Sequence, residues 1–235
     1  MELCLNTSCL CSPFTASAIP LPEKLRLASE AGYRLVELWI NELSEYVSGG
    51  GDLRNLRRQL EHDGLAVASV ITLVGWMDSS GDEYQAILDD CQRRMEMAAE
   101  VGSPRIVATP ATQRQPQMVN YNLDEVAARY RELLEIGVPL GVTPMMEFLG
   151  FVGSVYQLEQ AEAVVQLADH PAACLVLDPF HLFRGGSGFS RLKSLPIERI
   201  GICHFNDAPR EPPQFEQVDA DRVYPGDGHA HGTKG

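Results

Sequence analysis

Short apolar runs alternate along the chain with longer amphipathic stretches, at a spacing of roughly thirty residues, the length of one βα unit. The pattern predicts strands over Glu2–Asn6, Leu35–Ile40, Ala66–Leu73, Arg105–Thr109, Thr143–Phe148, Cys174–Asp178 and Arg199–Phe205. Helices are predicted between them, over Pro22–Glu30, Asp52–His62, Asp82–Val101, Leu123–Ile136 and Val155–Ala168.

Residues at the predicted helix ends support this division. Gly32, Gly64 and Gly102 each follow a predicted helix, where a left-handed C-cap favours glycine. Asp52 and Asp82 are predicted N-caps, because a short carboxylate can accept hydrogen bonds from the free N–H groups of a first turn.

A series of strand–helix units predicts a parallel sheet, either open and doubly wound or curled into a barrel. The first strand is followed by TSCLCSPFT, which lacks the glycine-rich phosphate turn of a doubly wound sheet. Polar residues recur at the C-terminal ends of the strands, where a barrel carries its active site. They are Asn6, Glu37, Glu147, Asp178 and His204. We therefore predict an α/β fold in one domain, of the (β/α)8 TIM barrel type.

The composition excludes some classes of binding partner but does not identify one. The 235 residues are 45% hydrophobic and carry a formal net charge of −13, which repels nucleic acid in the absence of a basic patch. No apolar stretch is long enough to span a membrane, and the first residues do not resemble a secretory signal. The six cysteines show no CxxC pairing, so we expect reduced thiols and a cytoplasmic location.

Three late strands end in residues that commonly bind metal ions. MMEFLG contains Glu147, LVLDPFH contains Asp178 and His181, and ICHFND contains His204 and Asp207. Each residue alone is more often a cap, an ion-pair partner or a packing residue. Consecutive barrel strands lie side by side, so their recurrence on three successive strands favours one shared site. Oxygen and nitrogen ligands without a thiolate suit Mn²⁺, Mg²⁺, Co²⁺ or Zn²⁺.

The sequence resembles the xylose isomerase-like barrel enzymes, also called sugar phosphate isomerases/epimerases, and among them the inosose (2-keto-myo-inositol) isomerases. The matching stretches are VELWINELSEYV (36–47), MMEFLG (145–150), LVLDPFH (175–181) and ICHFNDAP through DADRVYPGDG (202–228). The resemblance implies that Glu147, Asp178 and His204 bind one divalent cation, with Mn²⁺ preferred over Mg²⁺, Co²⁺ and Zn²⁺. It also implies that Glu147 acts as an acid/base and that His181 and Arg222 hold substrate oxygens.

The reaction implied by the resemblance moves a carbonyl group along a small sugar or cyclitol. A proton next to the carbonyl is removed and returned to the neighbouring carbon, and a divalent cation stabilises the enediolate that forms in between. In the family, a second glutamate on the eighth strand is the fourth ligand. After VYPGDG this chain reads HAHGTKG, with neither an apolar strand nor a glutamate.

We therefore expect an incomplete barrel of about seven strands over residues 1–228, lacking the eighth, and a disordered tail over residues 229–235. Without the eighth-strand glutamate, metal retention and turnover are expected to be weak.

Several alternatives stay open at this point. Ketose 3-epimerases, hydroxypyruvate isomerases and dehydroshikimate dehydratases share the ligand set and differ in the pocket wall, where Trp39, Trp76 and Phe148 are expected. Apurinic endonucleases need further histidines, which ITLVGW (71–76) and VATPAT (107–112) lack. A different class is an inactive barrel that serves as a binding or oligomerisation module, and a homo-oligomer is left open.

Overall fold

The computed structural model describes residues 2–10, 19–110 and 121–229. Seven parallel strands form one sheet in the order of the chain. They are β1 (Cys4–Asn6), β2 (Leu35–Trp39), β3 (Ala66–Leu73), β4 (Arg105–Ala108), β5 (Thr143–Met146), β6 (Leu175–Leu177) and β7 (Ile200–Cys203). All seven predicted strands are confirmed, and most are shorter at their ends than the apolar pattern suggested.

Seven α-helices lie among the described residues. They are α1 (Leu21–Glu30), α2 (Ile40–Ser48), α3 (Leu53–His62), α4 (Gly81–Glu100), α5 (Leu123–Gly137), α6 (Leu158–Leu167) and α7 (Pro179–Arg184). The five predicted helices are confirmed, whereas α2 and α7 were not predicted.

The predicted helix ends are largely confirmed. The Asp52 side chain caps α3 by accepting hydrogen bonds from two backbone amides. Asp82 is not an N-cap, because α4 begins earlier and Asp82 lies in its first turn. Gly32, Gly64 and Gly102 have φ angles of 86°, 71° and 83°, the left-handed conformation predicted for them.

The two faces of the sheet bury different sets of side chains. Leu38, Val70, Ile106 and Leu175 pack in the large core that the strands share with the helices. The alternate positions point to the inner face and form a small second cluster of Ile71, Val107, Met145, Cys174 and Val176. This separation follows from the two-residue period of a strand.

The same alternation directs the polar residues at the strand ends. Glu147 lies two residues beyond Met145, and Asp178 lies two residues beyond Val176, so both point to the inner face. Glu37 lies two residues before Trp39, and His204 lies two residues beyond Ile202. Trp39 and Ile202 pack against the inner cluster, so Glu37 and His204 also point to the inner face.

The sheet curls enough to bring its two ends near each other. The side chain of Glu37, in the middle of β2, lies 3.2 Å from that of His204, just after β7, although β1 and β7 are not paired. No eighth strand lies in the described ranges, in agreement with the predicted incomplete (β/α)8 barrel. Of the predicted tail, only His229 is described, and residues 230–235 lie outside these ranges.

Among the helices of the described ranges, none combines the length and the apolar character that crossing a bilayer requires.

Candidate metal centre

Backbone hydrogen bonds continue one residue past the strands and fix the start of the site. The Glu147 amide donates to the Ala108 carbonyl at 3.1 Å, and the His204 amide donates to the Leu177 carbonyl at 2.8 Å. The two side chains therefore start from ordered backbone at the C-terminal end of the sheet. This is the end at which barrels of this type carry their active sites.

Three of the predicted site residues gather at one point, and a fourth contacts one of them. Potential ligand atoms of Glu147, Asp178 and His181 all lie within 4.8 Å of one another, and the three residues are buried. His204 joins them through Nδ1, which lies 3.0 Å from Glu147 Oε1. The structure thus brings together the predicted ligands Glu147, Asp178 and His204, and it adds His181 to the side chains within reach of a shared cation.

Asp178 is buried, and both of its carboxylate oxygens accept hydrogen bonds. Its Oδ1 accepts from the amides of Phe180 and His181, at 2.8 and 3.2 Å, which caps α7. Asn206 Nδ2 donates to both oxygens at 3.1 Å, and Arg222 Nη2 donates to Oδ2 at 3.0 Å. Burial opposes ionisation of Asp178, but the nearby His181 and Arg222 keep the pKa of this carboxyl below its usual value.

His181 is a neutral ring held between aromatic side chains. Phe151 and Phe180 contact it edge-on, with ring centroids 5.4 and 5.5 Å away. Burial lowers the pKa of His181 to about 4, although Asp178 acts in the opposite direction. Arg222 Nη2 donates to His181 Nε2 at 2.9 Å, as a neutral imidazole permits. Arg222 and His181, the two residues predicted to bind substrate, therefore lie together beside Asp178.

Glu37 is a component of the site that the sequence did not assign to it. It is 2% exposed, and its Oε1 lies 3.2 Å from His204 Nε2. Burial alone would lower the pKa of His204, but Glu37 and Glu147 on its two sides raise this pKa well above its usual value. The available signal was the inclusion of Glu37 among the polar residues expected at the strand ends, which could not reveal contact with a residue so far along the chain.

The residues present fit a divalent cation. Glu37, Glu147 and Asp178 bring three buried carboxylates to one small region, and the cationic groups among their described partners are Arg222 and His204. Carboxylate oxygens and imidazole nitrogens are ligands for Mn²⁺, Mg²⁺, Co²⁺ and Zn²⁺. A cation held by Glu147, Asp178 and His204 or His181 would offset the clustered negative charge.

Other strand-end residues lie away from the centre. Trp76 and Phe148 are fully buried in the large core, so they do not form a pocket wall as expected. Trp39 is partly exposed, and its Nε1 donates to Asn6 Oδ1 at 2.9 Å. Asp207, a candidate from ICHFND, instead accepts hydrogen bonds from backbone amides of the segment that carries Arg222.

Two curated enzymes are similar in sequence to this chain. An inosose isomerase of Halalkalibacterium halodurans is 28% identical over 230 residues, which are 97% of this chain and 79% of that protein. A 3-dehydroshikimate dehydratase of Pseudomonas putida is 26% identical over 190 residues, which are 80% of this chain and 29% of that protein.

A solved structure described as the IOLI protein with a binding zinc atom superposes with a TM-score of 0.84. It is 28% identical, and the match covers 98% of this chain and 83% of that one. The zinc atom of that protein and the cluster of Glu147, Asp178 and His181 support a divalent cation site in this chain. The family model of the xylose isomerase-like TIM barrel matches residues 25–233, and the chain belongs to this family of enzymes.

Proposed function

We propose that this chain is a divalent-metal-dependent isomerase of a small cyclic keto-polyol, with an inosose as its substrate class. The observation that carries the proposal is the cluster of Glu147, Asp178 and His181, which His204 joins through its contact with Glu147 and Arg222 through its contact with His181. The match to an inosose isomerase over 97% of the chain supports the substrate class.

Glu147, Asp178 and His204 would hold the cation, with His181 in reach of the same point. The cation, for which we propose Mn²⁺, would supply polarisation of the substrate carbonyl, which makes the neighbouring C–H proton more acidic. Glu147, Asp178 and His204 directly follow the neighbouring strands β5, β6 and β7, which brings two carboxylates and an imidazole to the same end of the sheet.

Glu147 is the proposed acid/base. It lies at the cluster, and its Oε1 is 3.0 Å from His204 Nδ1. A carboxylate in this position can take the proton next to the carbonyl and return it to the adjacent carbon. Arg222 donates hydrogen bonds and His181 is neutral, so the pair can hold hydroxyl and carbonyl oxygens of the substrate without adding negative charge to the site.

The test is solvent-proton exchange on 2-keto-myo-inositol followed by NMR in D₂O, with Mn²⁺ present. We expect deuterium to enter at the carbon next to the carbonyl and the isomeric ketone to appear. Glu147→Gln should lower this rate about 10²–10⁴-fold, the usual contribution of a general acid/base. Glu132→Gln is a matched control, because Glu132 accepts its hydrogen bond from Tyr84, outside the site. Exchange that persists unchanged in Glu147→Gln would refute the assigned role.

A dehydratase is the second candidate, favoured by the 26% identity to a 3-dehydroshikimate dehydratase over 80% of this chain. Both reactions begin with removal of a proton next to a carbonyl, but a dehydratase then expels a hydroxyl group as water. Incubation with 3-dehydroshikimate distinguishes them, since dehydration gives an aromatic product with its own ultraviolet absorbance. Turnover of this compound and none of the inosose would replace the isomerase with a dehydratase.

A further inference from the structure

The ring of His204 lies between two carboxylates. Nδ1 is 3.0 Å from Glu147 Oε1, and Nε2 is 3.1 Å from Glu37 Oε2. The Glu147 side contains the other candidate ligands, because Asp178 and His181 group with Glu147. Glu37 lies on the opposite side of the ring, in the middle of β2. The two nitrogens of His204 therefore face different surroundings, a cluster of ligands on one side and a single carboxylate on the other.

This arrangement restricts how His204 can bind a cation held by Glu147 and Asp178. The nitrogen that faces these residues is Nδ1, so its lone pair is the one available to the cation. An imidazole that binds through Nδ1 keeps its remaining proton on Nε2. Glu37 is in place to accept that N–H. A carboxylate in such an outer position fixes the tautomer and the orientation of a ligating histidine, and makes it more basic.

Glu37 is itself held in a defined orientation. Asn6 Nδ2 donates to Glu37 Oε2 at 3.0 Å, and the two residues are paired in register between β1 and β2. Asn6 Oδ1 accepts from Trp39 Nε1 and from the Ser8 amide, each at 2.9 Å, which fixes the amide group with its NH₂ towards Glu37. The carboxylate therefore does not depend on His204 for its position.

We propose that Glu37 is a positioning residue for the metal centre, which holds His204 with Nδ1 directed to the cation and does not itself bind the cation. The inference rests on the metal site of the proposed function and extends it to the strand on the far side of the barrel mouth. Removal of such an outer partner typically costs 10–100-fold in metal affinity.

The experiment compares Mn²⁺ and Zn²⁺ binding to the wild-type chain, Glu37→Ala and Glu37→Gln by calorimetry. Glu37→Ala removes the acceptor and should weaken binding about 10–100-fold. Glu37→Gln keeps an oxygen that can accept the Nε2 proton, so it should recover most of the affinity. Thermal unfolding in EDTA checks that the variants fold, and Glu132→Gln serves as a control remote from the site.

A second measurement examines the ring directly. In the zinc-loaded wild-type chain, ¹⁵N-edited NMR of the histidine rings should show a slowly exchanging Nε2 proton on His204, and Glu37→Ala should lose this protection.

Equal affinities in wild type and Glu37→Ala would overturn the inference and leave the metal site intact. An equal loss in Glu37→Gln and Glu37→Ala would make Glu37 a direct ligand. Absence of binding by the wild-type chain would overturn both the metal site and this inference.

Discussion

At the scale of single residues, the site buries charged groups that need polar or charged partners. Asp178 is 1% exposed, and a buried carboxylate is costly unless it is paired and hydrogen-bonded. Its hydrogen bonds come from Asn206, two backbone amides and Arg222, of which Arg222 alone is positively charged. Arg222 also stacks over Phe180 with its guanidinium carbon 4.7 Å from the ring centroid. The charge of Asp178 thus depends on Arg222 when no cation is bound.

This dependence gives a prediction for Arg222→Met. Without a cation, the variant should lose about 3 kcal/mol of its free energy of unfolding, because breaking a buried ion pair leaves an uncompensated carboxylate. With a saturating divalent cation the loss should be smaller, since the cation takes over the role of counter-charge. Urea unfolding in EDTA and in Mn²⁺ measures both values.

Arg222→Lys is the control for this prediction, because it keeps the charge while removing the planar guanidinium. It should lose less stability than Arg222→Met in EDTA. A loss in Arg222→Met that is the same with and without the cation would show that the arginine stabilises the fold by packing alone.

The residue types of the site could be predicted from the sequence, but their partners could not. Glu147, Asp178 and His204 stand out because each follows an apolar strand, and the strand period directs all three inwards. The ion pair between Asp178 and Arg222 depends on the path of an irregular segment, which no periodicity describes. His181 was named as a possible metal ligand from its pattern and as a substrate-binding residue from the resemblance, and the structure places it within reach of the ligands.

At the scale of elements, the segment that carries Arg222 is held to β7 by Asp207. The backbones of Asp207 and Val223 exchange two hydrogen bonds of 3.0 Å. The Asp207 side chain is fully buried, and its Oδ2 accepts from the amides of Gly226 and Gly228, at 3.2 and 3.3 Å. A Cβ on Gly228 would lie 2.5 Å from this carboxylate, so the close approach requires glycine.

We therefore expect Asp207→Ala to loosen the segment from residue 219 to 228. The loss of the acceptor leaves the amides of Ala208, Gly226 and Gly228 without this partner, which should cost about 1–3 kcal/mol of stability. Hydrogen exchange at the amides of Gly226 and Gly228 should become faster. Mass spectrometry of deuterium uptake and urea unfolding measure these effects.

Asp227→Ala tests whether the effect is specific, because Asp227 is exposed in the same segment. It should leave both exchange and stability close to wild type. Similar exchange rates in the two variants would mean that the backbone bridge to Val223, and not the Asp207 side chain, holds the segment.

The elements themselves were predictable in proportion to their length and pattern. The strands and the long helices have clear periods, whereas α7 has only six residues and follows β6 directly. Its signal was local, since an aspartate N-cap followed by proline at the first helical position is typical of a helix start. The other unpredicted helix, α2, begins at the end of β2 without a side-chain cap from Ser, Thr, Asp or Asn.

At the scale of the whole molecule, curvature of the sheet creates the site. Glu37 and His204 are separated by 167 positions in the chain and lie on strands that are not neighbours. Sequence patterns predict which strands pair in order, but the amount of curl depends on packing of all helices against the outer face. The contact between β2 and β7 across the barrel mouth is therefore the part of the site that only the structure reveals.

A site that joins both ends of the sheet should couple metal binding to the stability of the whole fold. A cation that binds the folded chain alone stabilises it by about 2.7 kcal/mol at one hundred times its dissociation constant. For a chain of this size that corresponds to a rise of about 5–10 °C in melting temperature. We expect calorimetric melts to show this rise with Mn²⁺ or Zn²⁺ and its reversal by EDTA. His204→Ala should remove most of the rise, whereas Glu132→Gln should keep it. A melting temperature that does not respond to either cation would contradict a metal centre formed by Glu147, Asp178 and His204.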